Sequence, residues 1–133
     1  MMTALDAEFT PLSQPYRDGL AGGRLMFQRC PHCRHAWLPA REECPSCLRG
    51  GAQWEAASGR GRLISWVVYH IAYHKAFADR LPYNVAIVEL EEGPRLITNI
   101  VDPDAAGGMA VDRPVALSIG QDHGIALARF RLE

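Results

Sequence analysis

Four cysteines stand as two Cys-x-x-Cys pairs, Cys30/Cys33 and Cys44/Cys47, with ten residues between the pairs, and they are all the cysteines in the chain. This spacing matches a tetrathiolate zinc site: each pair forms a tight knuckle whose amides point at the sulfurs, and the intervening segment can return to close a tetrahedron. Two disulfides are the alternative, but the first 25 residues lack the basic start and apolar run of a secretory signal, so reduced thiols and a cytoplasmic setting are expected. Rubredoxin-like iron fits the same spacing. Iron centres need apolar shielding, whereas His32, Arg34 and His35 crowd the first knuckle, so zinc is preferred. Four thiolates leave no open position for water or substrate, which makes one structural zinc the expected cofactor and excludes metal catalysis there.

Other chemistry-bearing residues give weaker patterns. His70 and His74 lie four apart with no third ligand at matching spacing, so packed or solvated histidines are the simpler reading. Glu89 and Glu91 fall on one strand face at a hairpin tip, where a solvated turn is expected. No cysteine is left as a nucleophile, Ser65 and Ser118 lack a histidine motif, and Gly59 and Gly61 do not open a phosphate-binding helix. The motifs therefore specify no enzyme.

The elements that must position these residues follow from the pattern. With 133 residues, 48% hydrophobic and 22% charged, the chain has the composition of a folded soluble domain or two small lobes. A net charge of -1 supplies no basic field for nucleic acid or anionic lipid, and no apolar run reaches the roughly 18 residues needed to span a bilayer. From Thr10 to Arg24 the spacing of Leu12, Tyr16 and Leu20 predicts a short helix ended by Gly22-Gly23. Arg24 to Arg29 and His35 to Leu38 read as paired strands around the first knuckle, and Gly50-Gly51 as the joint after the second. Further strands are predicted at Gly61–Tyr69, Tyr83–Glu89, Arg95–Val101, Pro114–Ile119 and Ile125–Leu132, with turns at 91–94, 102–108 and 120–124. Five short antiparallel strands in about 80 residues point to a small Greek-key barrel of OB type. The expected organisation is a helical segment at 1–24, a zinc ribbon at 25–50 and a barrel at 51–133: mainly β, with a short N-terminal helix, a rubredoxin-like ribbon and an OB-fold Greek-key barrel.

The chain resembles a family of zinc-ribbon and OB-fold proteins associated with acyl-CoA metabolism, long labelled only as a domain of unknown function. The resemblance is carried by LMFQRCPHC (25–33), LPAREECPSC (38–47), WEAASGRGRLISWVVYH (54–70) and LPYNVAIVELEEGPRLITNIV (81–101). The Ser58-Gly59-Arg60-Gly61 turn and the Pro82-Tyr83 strand entry are its specific parts. Arg34 and Leu48 depart from it where glycine often follows a knuckle, as does Tyr16 where tryptophan is usual. Membership implies a non-catalytic accessory subunit, hetero-oligomeric with a thiolase-like enzyme, a hydroxymethylglutaryl-CoA synthase, an enoyl-CoA hydratase or a steroid side-chain aldolase, in lipid or steroid breakdown. It also implies that acyl-CoA is bound or shielded.

An acyl-CoA site needs cations for the phosphates, an apolar slot for the arm and an aromatic face for adenine. Arg60, Lys75, Tyr83 and Arg95 are the contact candidates, from a wider set that includes Arg62, His74, Arg80, Tyr69, Tyr73 and Phe77, and the groove between ribbon and barrel is the expected place. For single arginines a solvated barrel face is the plainer reading, and for Tyr83 a packed interface. Single-stranded nucleic-acid binding is the rival, because ribbons and OB barrels both serve it. Against it, residues 84–112 hold Arg95 as their only basic residue beside Glu89, Glu91, Glu92, Asp102, Asp104 and Asp112.

Overall fold

The computed structural model describes residues 10–70 and 82–133. Lys75 and His74, with the rest of the aromatic insertion at 71–81, lie outside the described residues.

Thr10 caps a single 3-10 turn, Pro11–Ser13, by accepting from the Ser13 N–H, and α1 (Gln14–Ala21) follows directly. Pro15 sits in the first turn of α1, where its missing N–H costs nothing. The helix stops at Gly22-Gly23, where Gly23 takes φ +87° and the Arg24 N–H turns back to the Gly19 carbonyl at 2.7 Å. Its one buried residue, Leu20, joins the barrel core.

The ribbon is a three-stranded antiparallel sheet in the order β2 (Ala36–Trp37), β1 (Met26–Arg29), β3 (Gln53–Ala56). β3 is not among the predicted strands: Gln53-Trp54-Glu55-Ala56 alternates polar and apolar residues over only four positions and its burial does not follow the alternation, so tertiary pairing with β1 reveals it. Gly51 at φ +84° lets the chain turn after the second knuckle and run back along β1, so strand pairing in the ribbon sheet continues past Gly50-Gly51 to Ala56.

The second sheet has the order β10 (Phe130–Leu132), β7 (Pro114–Leu117), β4 (Arg60–Tyr69), β5 (Tyr83–Leu90), β6 (Arg95–Thr98). Along β5 the even-numbered side chains are buried and the odd-numbered ones face outward, as one-sided burial of a strand requires. A register shift between Leu63 and Ser65 bends β4. The two edges of the sheet meet at one parallel bridge, Ile100 to Phe130, flanked by the bonds Phe130 N–H to Asn99 O (3.1 Å) and Val101 N–H to Phe130 O (2.9 Å). This is the five-stranded Greek-key arrangement of an OB-type barrel.

The predicted last strand is split. Ile125–Leu127 is β9 and pairs with β8 (Gly120–Asp122) as a separate hairpin, and only Phe130–Leu132 enters the barrel. Gly-Gln-Asp has turn composition, which conceals β8 from a propensity reading. Leu63, Val88, Leu90, Val115 and Phe130 are almost fully inaccessible and form one core with Leu20 and Leu25, so helix and ribbon entry are fastened to the barrel. A side chain such as Phe130 contributes about 1.5–3 kcal/mol through burial. A smaller cluster of Cys30, Trp37 and Cys44 underlies the ribbon.

Candidate metal centre and ligand groove

The two knuckles are built alike. In the first, Arg34 N–H returns to Cys30 O (3.0 Å) and Cys30 N–H bonds His35 O (2.8 Å); in the second, Leu48 N–H returns to Cys44 O (2.8 Å) and Cys44 N–H bonds Arg49 O (2.9 Å). Each turn closes with a left-handed residue, Arg34 at φ 67° and Leu48 at φ 66°, which explains why glycine suits these positions. The Cys30 sulfur faces the N–H groups of His32 and Cys33, and the Cys44 sulfur those of Ser46 and Cys47.

All four Sγ atoms lie within 4.8 Å of one another, with Cys30 to Cys47 and Cys33 to Cys44 at 3.5 Å. Those separations exceed a disulfide bond. A tetrahedral zinc with bonds of roughly 2.3 Å spaces its sulfurs roughly 3.8 Å apart, so the set fits the ion. Burial alone would push the Cys30 thiol up, but the N–H donors of Cys33 and His32 outweigh it and bring it down to about 6. Cys44 is lowered in the same way, against its burial, by the N–H groups of Cys47 and Ser46. Cys47 receives help from the Arg49 N–H, yet burial and the hydrogen bonds with Cys30, Cys33 and Cys44 hold it up at about 11. Full deprotonation of the quartet therefore calls for a cation. Zinc held by Cys30, Cys33, Cys44 and Cys47 would supply that charge and cross-link the two knuckles, with no position open for chemistry.

A groove of about 800 Å³ runs between three elements. Leu12 and Tyr16 come from the helical segment, Leu38 and Pro39 from the turn after β2, and Ile87 and Ile97 from the outer face of β5 and β6. Ile87 and Ile97 are cross-strand partners and stay exposed, Ile97 to 75%. The turn is held from beneath: Gln28, 2% exposed on β1, accepts the Arg41 N–H at 2.7 Å.

Of the sequence candidates, Arg95 lines this groove. Arg60 is exposed at the start of β4 and Tyr83 stacks on Tyr69 at 5.1 Å; neither lines it. Arg95 gives its Nε to Glu89 at 2.8 Å, and Arg62 bonds the other oxygen of the same carboxylate at 3.0 Å and also pairs with Asp112. Arg95 and then Arg62 hold the Glu89 carboxyl below its ordinary range, and Glu89, then Asp112, raise Arg62. The residues that sequence reading missed are Leu12, Pro39, Ile97, Gln28 and Arg41, since none belongs to a motif that announces ligand contact.

Residues 17–55 match the family described as the ChsH2 rubredoxin-like zinc ribbon domain, and residues 54–119 the ChsH2 C-terminal OB-fold domain. A DUF35 domain-containing scaffold protein of Methanothermobacter thermautotrophicus is 36% identical over 120 residues, covering 90% of this chain and 79% of that one. The chain belongs to the DUF35 family. A chain of the solved Ltp2-ChsH2(DUF35) aldolase superposes with a TM-score of 0.80 at 33% identity, covering 93% of this chain and 96% of that chain. A protein of Thermomonospora curvata named as a probable enoyl-CoA hydratase alpha subunit is 39% identical over 113 residues, 81% of this chain and 33% of that one. This DUF35 chain thus spans about a third of the length of that hydratase subunit. The four-cysteine ribbon and the barrel described above are the two parts of the DUF35 fold, and the cysteine quartet is its structural zinc site.

Proposed function

We propose that this DUF35 chain is a non-catalytic accessory subunit that scaffolds a hydratase-, aldolase- or thiolase-type enzyme and holds the acyl-pantetheine arm of its CoA substrate. The apolar groove between helix, ribbon turn and barrel carries this reading. A space of about 800 Å³ with aliphatic and aromatic walls and the Arg95 guanidinium at its border suits a thioester arm joined to a phosphorylated end. Leu12, Leu38, Ile87 and Ile97 would exclude water from the arm, and Arg95 would meet charge where the arm leaves.

Thr10, Ser13 and Tyr16 bring hydroxyls to the groove, and those of Thr10 and Ser13 bond to one another. Among the described residues no histidine or carboxylate lines it to activate them, so those residues bind and orient and leave bond-making to the partner. The names of the relatives support such a partnership: one is a scaffold protein, one a hydratase alpha subunit, one a chain of an aldolase. Val67 and Val68, on opposite faces of β4 and exposed to 52% and 43%, are further apolar side chains open to contact with a partner chain.

The test is affinity capture from native lysate with identification of the captured enzyme, followed by turnover of that enzyme with and without this chain. A hydratase, aldolase or thiolase whose kcat/KM for its acyl-CoA falls at least tenfold without the chain fits the proposal. Unchanged turnover, together with no affinity for any CoA ester alone or in the complex, overturns it. Salt-sensitive recovery of nucleic acid in place of an enzyme would favour the rival binding module.

A further inference from the structure

Next to the groove lies a smaller recess of about 320 Å³, enclosed by the ribbon on one side and by Gly93 and Pro94 of the β5–β6 turn on the other. Leu38, Pro39 and Arg95 line both spaces, so the two adjoin. Their linings differ in kind. Among the described residues, the ionisable side chains of the recess are His35, Arg41 and Arg95, with no carboxylate lining it.

Arg41 has the features of a ligand-binding cation. Gln28, buried in β1, anchors its backbone N–H, while its guanidinium has no ion pair or hydrogen bond among the described residues. Arg95 directs Nε to Glu89 and has no other partner among them for its two terminal nitrogens. Trp37, whose ring stacks on His35 at 6.0 Å, carries a buried indole N–H with no hydrogen-bond acceptor among the described residues. A buried donor left unpaired costs free energy until an acceptor reaches it.

We propose that this recess is an anion subsite that receives the phosphate end of a phosphorylated pantetheine ligand, with the Arg41 and Arg95 guanidiniums on the phosphate oxygens. The proposal rests on the groove reading above and deepens it, by assigning the uncharged arm to the apolar groove and the charged end to the arginine-lined recess. Planar guanidiniums suit phosphate because each gives two parallel N–H bonds. Continuity with the groove favours a small elongated ligand over an acidic side chain of a partner, which would need the recess alone.

Calorimetric titration of the zinc-loaded full chain with coenzyme A, pantetheine and adenosine 3′,5′-diphosphate tests this. Coenzyme A should bind at least tenfold more tightly than pantetheine. Arg41→Gln and Arg95→Gln should each weaken coenzyme A about tenfold and leave pantetheine unchanged, as expected for the loss of one charge-assisted contact. Arg24→Gln, at an exposed cation beyond the end of α1, should change neither. One zinc per chain and an unchanged melting temperature certify the Arg41 variant as folded, since its side chain makes no hydrogen bond or ion pair among the described residues. Equal binding of coenzyme A and pantetheine, or wild-type affinity for coenzyme A in both arginine variants, overturns the anion subsite and leaves the groove reading standing. If neither coenzyme A nor pantetheine binds, the anion subsite is overturned, and the groove reading falls with it when the complex with the captured enzyme binds no CoA ester either.

Discussion

The side-chain amide of Asn84 clamps the backbone of Ile100 from both sides, its Nδ2 donating to the Ile100 carbonyl at 2.9 Å and its Oδ1 accepting the Ile100 N–H at 2.7 Å. Asn84 is 8% exposed and Ile100 2%. The pair ties β5 to the stretch after β6 where the sheet's edges meet at Phe130, so a side chain substitutes for strand pairing at the barrel seam. Asn84→Ala leaves a buried N–H and a buried carbonyl without partners and should cost about 2–4 kcal/mol in urea unfolding. A loss under about 0.5 kcal/mol would mean that the seam is held by packing alone.

The glycines of the Ser58-Gly59-Arg60-Gly61 turn answer to two constraints. Gly59 is left-handed at φ +86°, and a Cβ on Gly61 would stand 2.5 Å from the Glu89 carbonyl oxygen across the β4–β5 pair. Gly61→Ala should therefore cost about 2 kcal/mol by thermal or chemical unfolding. Gly50→Ala, where a Cβ meets nothing within 4 Å, should stay within about 0.5 kcal/mol of wild type.

Leu48 ends the second knuckle in a left-handed conformation with its side chain 67% exposed. Replacing it by glycine relieves strain and sacrifices little packing, so Leu48→Gly should stabilise the chain by about 0.5–1 kcal/mol. Equal or lower stability in the zinc-loaded protein would contradict this.

Zinc removal should loosen the ribbon and spare the barrel. Trp37 packs with Cys30 and Cys44 in a cluster apart from the core built on Leu63, Val88 and Phe130. Elemental analysis should give about one zinc per chain. Cys44→Ser should lose it and red-shift the Trp37 fluorescence, measured with Trp54 and Trp66 replaced by phenylalanine, while barrel amides keep their protection from exchange. Loss of protection throughout would make the two clusters one cooperative unit.

Glu89 sets an acid limit. Its folded pKa is lowered by Arg95 and Arg62, so its contribution is fully present above the ordinary carboxylate value of about 4.3 and disappears as pH falls through the lowered folded value. The stability difference between wild type and Glu89→Gln should be constant from about pH 6 to 8 and shrink below about pH 4. A difference that grows on acidification would reverse the assigned sign.

Local patterns are legible in the sequence and long-range ones are not. Cys-x-x-Cys is a short-range signal, and Arg34 and Leu48, standing where glycine often follows a knuckle, mark the left-handed turn positions by their place in the motif alone. β3 is hidden because Gln53–Ala56 is half-exposed and acquires its state only by pairing with β1. The split of 125–132 into β9 and β10 depends on β8, whose residues have turn composition. Asn84 and Gln28 are polar residues on strands, which propensity reads as surface; their burial follows from backbone partners 16 and 13 residues away. The ribbon–barrel groove could be named as a place, yet its walls come from three segments that only folding brings together. Tyr83 and Arg60 have suitable chemistry for it but lie outside its lining.

The most direct test of the accessory-subunit account is photo-crosslinking with an acyl-CoA that carries a diazirine on its acyl chain, applied to the zinc-loaded chain alone and with the enzyme it captures. The account predicts labelled peptides from residues 10–16, 38–40 and 87–97, with protection by excess unmodified acyl-CoA. Labelling confined to other described segments, or none in either setting, would contradict it.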